Sequence, residues 1–210
     1  MADSSKDATK QKTNALGIMG GTFDPIHVGH LKVAEVVRSK LALDRIVFVP
    51  AYCPPHKSIS DITPVKHRFA MVSEAIAGNS RFEVSGIERG YQCPVYVGDT
   101  IRAFKEMEGD DRNIYFITGL DAILIIINWH QARTYPGLCQ FVAVTRPGYD
   151  KGEIESRIPD DFRSYITIVE EPSLSVSSSE IRHRVKTGQS IEDMVPKAVK
   201  DYICRHGLYV

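Results

Sequence analysis

Two histidines, His27 and His30, close the stretch Gly20-Gly21-Thr22-Phe23-Asp24-Pro25-Ile26-His27-Val28-Gly29-His30. The apolar segment before it reads as a strand, and Leu31–Leu41 after it reads as an amphipathic helix. Gly20 and Gly21 carry no Cβ, so they permit a sharp turn and a close backbone approach to a ligand. The helix that follows opens with amides that have no partner inside it, a natural seat for a phosphate. With both imidazoles in the first turn, their three-residue spacing projects them from one face. Two imidazoles beside the positive end of a helix contact negatively charged oxygens. The chemistry indicated is binding of a triphosphate, and the bland alternative is a strand–turn–helix corner capped by a histidine.

The elements that must position these residues alternate along the chain. Val/Ile/Phe-rich strand segments fall at Leu16–Met19, Arg45–Val49, Phe82–Ser85, Ile114–Thr118, Phe141–Thr145 and Ile166–Val169. Helical patterns lie between them at Leu31–Leu41, His67–Ala77, Asp99–Met107 and Asp121–Asn128, and two more follow at Ser178–Lys186 and Pro196–His206. This pattern predicts an α/β fold, a doubly wound, mostly parallel sheet with helices on both faces. Ligands of such sheets bind at the carboxyl ends of the strands, near the point where strand order reverses. The loops after the strands should therefore hold the chemistry.

A chain of 210 residues suits one domain, expected over 15–210 and preceded by a polar, disordered tail over 1–14. The 26 basic and 26 acidic residues cancel, so no net field recruits nucleic acid or an anionic membrane. With no signal-peptide pattern and no apolar run of membrane-spanning length, a soluble cytoplasmic protein is expected. Cys53, Cys93, Cys139 and Cys204 are widely spread without a C-x-x-C pair and read as reduced thiols. Cys53-Pro54-Pro55-His56 has C-x-x-H spacing, but its prolines and the lack of a second pair argue against zinc. No metal site is expected.

The eleven-residue stretch resembles the H-x-G-H motif of the nucleotidylyltransferases, and within them the nicotinate-nucleotide adenylyltransferases, whose loop reads G-G-T-F-D-P-x-H-x-G-H. Further elements match in order. Pro54-Pro55-His56-Lys57 is similar to the family's P-P-H-K, which implies that Lys57 contacts phosphate; a solvated surface lysine is the alternative. Tyr96, Val97, Asp99 and Thr100 lie on the family's S-Y-T-x-D-T, a segment that approaches the pyridine nucleotide partly through backbone amides. Val95 and Val97 depart from its serine and threonine. Gly119 and Asp121 resemble I-I-G-x-D, implying that Asp121 binds ribose hydroxyls, with an N-cap role compatible. Leu120 stands where the family has a small residue. Trp129, with His130 beside it, matches a tryptophan that stacks on the pyridine ring; core packing is the alternative. Arg146 occupies the family's R-P-G, as a binding residue or an ion-pair partner. Ser178, Ser179 and Arg182 resemble I-S-S-T-x-I-R, implying serines that hold phosphate oxygens and an arginine that clamps the β- and γ-phosphates.

The resemblance implies a Rossmann-like fold and transfer of AMP from ATP to nicotinate mononucleotide, giving deamido-NAD and pyrophosphate. On that reading His27, His30, Lys57 and Arg182 are catalytic. Gly20, Gly21, Thr22, Phe23, His27, His30, Gly119, Asp121, Ser178, Ser179 and Arg182 bind ATP, and Tyr96, Val97, Asp99, Thr100, Trp129, His130 and Arg146 bind the mononucleotide. Mg²⁺ accompanies ATP, held chiefly by phosphates and waters. The alternatives are the same reaction on nicotinamide mononucleotide and a nucleotide-binding regulator without catalysis. Oligomeric state stays open, a homo-oligomer included.

Overall fold

The computed structural model describes residues 13–55, 58–145, 152, 156–170 and 176–210. Of the expected tail, only Thr13 and Asn14 fall among them. Six strands run β1 Ala15–Gly21, β2 Arg45–Pro50, β3 Phe82–Val84, β4 Asn113–Gly119, β5 Gln140–Thr145 and β6 Ile166–Glu170. They form one sheet in the order β3-β2-β1-β4-β5-β6, and every neighbouring pair is parallel. Among the described residues seven helices accompany it: α1 Val28–Lys40, α2 Val65–Ile76, α3 Val97–Glu108, α4 Leu120–Ile126, α5 Asp160–Arg163, α6 Ser178–Lys186 and α7 Lys197–His206. None is long and apolar enough to cross a membrane.

Side chains of successive strand residues point to opposite faces, and the two cores follow that alternation. Met19, Ile46 and Phe48 join Val33 and Val37 of α1, Met71 and Val72 of α2, and Val199 and Ile203 of α7 in one core. Leu16, Ile18, Val47 and Val49 join Ile101 and Phe104 of α3 and Ile123 and Leu124 of α4 in the other. Burial on both faces is why the central strands β1, β2, β4 and β5 could be read directly from the chain as apolar runs. β1 stands between β2 and β4, so strand order reverses there. The carboxyl ends of β1 and β4 open the crevice in which such folds bind ligands.

Three readings need correction. First, α1 begins at Val28, not Leu31, so the H-x-G-H residues are its first turn, with His27 as N-cap. Second, Gly20 and Gly21 are the last residues of β1, and the turn is made by Phe23 at φ 50°. A Cβ on Gly20 would lie 2.4 Å from Phe116 Cζ, so its bareness serves close packing within the sheet. Third, Cys53 and Cys93 form a disulfide, their Cα atoms 5.6 Å apart, while Cys139 and Cys204 are free. The sheet topology brings the loop after β2 beside the segment before α3, a proximity that sequence spacing does not reveal.

Candidate active site

The site is built on the N-terminus of α1. The His27 ring accepts the His30 N–H at 3.4 Å, and the His30 ring accepts the His27 N–H at 3.3 Å, each at Nδ1. These reciprocal caps place the two rings in a stack, with centroids 3.6 Å apart and planes 24° from parallel. An Nδ1 that accepts carries no proton, so each neutral ring bears its hydrogen at Nε2. Burial, and then the neighbouring His27, hold His30 well below the ordinary imidazole range. His30 is thus an uncharged N–H donor at a positive helix end.

Two cavities share His30, and a third adjoins the second through Thr22. The largest, 690 Å³, is lined by His27, His30, Gly119, Asp121, Thr145 and Ser178 among others. A second, 440 Å³, shares His30 and Ser178 with it and adds Thr22, Phe23, Ser179 and Arg182. A third, 230 Å³, shares Thr22 with the second and is lined by Gly20, Gly21, Glu88, Val95 and Val97. Together they follow the carboxyl ends of β1 and β4, as the strand reversal requires.

The serine-rich turn reaches this place through α6. Ser177 caps that helix by accepting the Glu180 N–H at 3.2 Å. Ser178 Oγ donates to Pro25 O at 2.9 Å, and Arg182 Nη1 donates to Asp24 O at 2.8 Å. Both bonds staple α6 to the loop between β1 and α1 and aim the Arg182 fork along the second cavity. Leu120 packs into the second core while also lining the largest cavity.

The candidate mononucleotide residues divide in two. Tyr96, the N-cap of α3, meets Trp129 edge-on at 5.3 Å and His130 at 5.8 Å. Trp129 is half-buried and packs at the rim of the second core. Asp99 instead accepts the Tyr96 N–H at 3.2 Å, completing the helix cap. Thr100 is 1% exposed and donates to Glu88 Oε1 at 2.6 Å. These two side chains hold the shape of the segment. Lys57 and Arg146 lie outside the described residues.

A model of the cytidylyltransferase-like family matches residues 18–184. The probable nicotinate-nucleotide adenylyltransferase of Thermoanaerobacter sp. (strain X514) is 45% identical over 197 residues, spanning 92% of this chain and 93% of that protein. The one from Moorella thermoacetica is 43% identical over 197 residues, 92% of this chain and 91% of its own length. The chain belongs to the nicotinate-nucleotide adenylyltransferase family. Among solved structures, the Plasmodium falciparum nicotinic acid mononucleotide adenylyltransferase complexed with NaAD superposes with a TM-score of 0.74 at 23% identity. It covers 93% of this chain and 97% of its own, a likeness of fold.

Sequence reasoning passed over four residues that hold the family's loops in place. Asp24 accepts the Thr63 N–H at 3.1 Å and the Tyr209 hydroxyl at 2.7 Å. Glu88 accepts the Tyr52 N–H at 2.9 Å as well as the Thr100 hydroxyl, and burial raises its carboxyl above the ordinary range. Arg68 is buried beneath the loops after β1 and β2. A signal for it existed: it sits three and four residues before Met71 and Val72, on the buried stripe of α2. Tyr209 carries no local signal.

Proposed function

We propose that this protein transfers the AMP group of ATP to the 5′-phosphate of nicotinate mononucleotide, forming deamido-NAD and releasing pyrophosphate. The observation that carries the reading is the stacked His27–His30 pair, both lining the largest cavity and His30 lining the second as well. The acceptor phosphate is already an anion at neutral pH, so the site needs neither a general base nor a covalent intermediate. One acceptor oxygen bonds to the α-phosphorus of ATP as the bond from that phosphorus to the β-phosphate oxygen breaks.

The obstacles are the approach of two polyanions and the charge left on pyrophosphate. Holding the reactants in line supplies up to roughly 7–11 kcal/mol. His30 Nε2–H donates to the α-phosphate as charge shifts, and His27 assists along the phosphate chain. Backbone amides of Thr22 and Phe23, with Arg182 and Lys57, receive the departing pyrophosphate. Mg²⁺ enters as part of the ATP substrate, bound by phosphates and water; among the described residues no cluster of three or more His, Cys, Asp or Glu side chains gathers to hold an ion. Trp129 and Tyr96 form the aromatic corner for the pyridine ring.

The test is pyrophosphate release by purified protein with Mg²⁺ and ATP, offered each acceptor in turn. The expected outcome is a higher kcat/KM with nicotinate mononucleotide than with nicotinamide mononucleotide. Equal or reversed values move the assignment to a dual or nicotinamide-specific enzyme. No turnover with either favours a nucleotide-binding regulator.

A further inference from the structure

Arg68 is 1% exposed, and among the described residues its guanidinium makes no ion pair. Its donors go instead to three backbone carbonyls: Nε to Thr63 O, Nη1 to Thr22 O and Nη2 to Ala51 O, each at 2.7 Å. A buried cation must have its donors satisfied, and only a planar fork reaches three carbonyls on three loops at once. Two of those loops follow β1 and β2 and border the cavities of the site.

The Thr22 carbonyl is the partner that matters for chemistry. Across a trans peptide, the C=O of one residue and the N–H of the next point in opposite directions. Holding Thr22 O on Arg68 therefore turns the Phe23 N–H away from Arg68, and Phe23 itself lines the cavity that holds His30 and Arg182. That N–H has no hydrogen-bond partner among the described residues. Phe23 also sits at φ 50°, a left-handed conformation that a bulky residue keeps only when its surroundings enforce it. The next loop shows the same arrangement. Arg68 holds Ala51 O while Glu88 takes the N–H of the same peptide, at Tyr52.

We propose that Arg68 is a positioning residue for adenylyl transfer: it touches no substrate and acts by turning the Phe23 amide toward the phosphates. The inference rests on the reaction proposed above. Arg68→Lys keeps the charge and loses the fork. The variant is expected to fold, to retain its KM for both substrates, and to lose roughly 10²-fold in kcat, the scale of a misplaced reacting group. In protein labelled with ¹⁵N-phenylalanine, inorganic pyrophosphate should shift the Phe23 amide of the wild type and leave that of Arg68→Lys unmoved. Arg68→Gln, shorter and neutral, serves as the second variant.

A folded variant with wild-type kcat overturns the proposal, as does a wild-type Phe23 amide that pyrophosphate does not shift. A kcat loss that only matches the unfolded fraction, or failure of both variants to fold, makes Arg68 a residue of the fold alone and equally overturns it. Absence of turnover in the wild type would remove the reaction. The pyrophosphate shift and its loss in Arg68→Lys would still stand on their own.

Discussion

At the residue scale, the mechanism turns on the protonation state of His30. Burial, the adjacent His27 and the backbone N–H that the His30 ring accepts at Nδ1 all favour the neutral ring. An unfolded chain takes up this proton near the ordinary imidazole value of about 6.5. Between that pH and the depressed folded value the unfolded state binds more protons, so stability is full above about 6.5 and falls as the solution is acidified through this window. Long-range ¹⁵N spectra of the free enzyme should show His30 as the Nε2–H form at neutral pH, titrating only below the usual range. His30→Ala should lower kcat by roughly 10²–10³-fold, as for removal of one transition-state donor, and should flatten the acid side of the stability profile. An unchanged kcat would leave His30 as a helix cap.

At the element scale, the central strands β1, β2, β4 and β5 were legible because they are apolar runs covered on both faces, and the edge strands β3 and β6 by their Val, Ile and Phe content. The histidine loop was legible because its residue types have few other uses in that order. Helix starts were harder to read. Val28 and Gly29 carry little helical propensity, and α1 begins there because the histidines cap each other. Contacts made by pairs of distant elements were not legible, as the Cys53–Cys93 bond shows. Trp129 belongs to this class, since the turn after α4 carries it and Tyr96 at the start of α3 fixes its edge. Trp129→Ala should raise KM for the mononucleotide by about 5- to 150-fold, the range for loss of one stacked base, and leave KM for ATP nearly intact. Being half-buried, it should lose less than the roughly 3–5 kcal/mol of a core tryptophan. Thermal melts with separate substrate titrations check both. A large melting shift with no selective KM change would make it a packing residue.

At the scale of the whole molecule, the loop between β1 and α1 is held by segments far away in sequence. Thr63, Ser178, Arg182 and Tyr209 all bond to Asp24 or Pro25, and the Met194 carbonyl takes the Val28 N–H at 3.0 Å. The phosphate site is thus assembled only when the C-terminal helices have docked on α1 and α2. Tyr209, 185 residues from Asp24, is the longest of these ties and can be cut by removing a single oxygen. In Tyr209→Phe the Asp24 carboxylate, 5% exposed, is left with an oxygen short of its donor. Such an unsatisfied buried acceptor costs about 1–3 kcal/mol. For a chain of this size each kcal/mol moves Tm by about 2–4 °C, so calorimetry should record a Tm lower by about 2–12 °C. Tyr209→Ala should fall further, because it also removes the ring from the first core. Equal Tm for wild type and Tyr209→Phe would mean that water replaces the phenol at Asp24, and that Tyr209 holds the C-terminus by its ring and not by its hydroxyl.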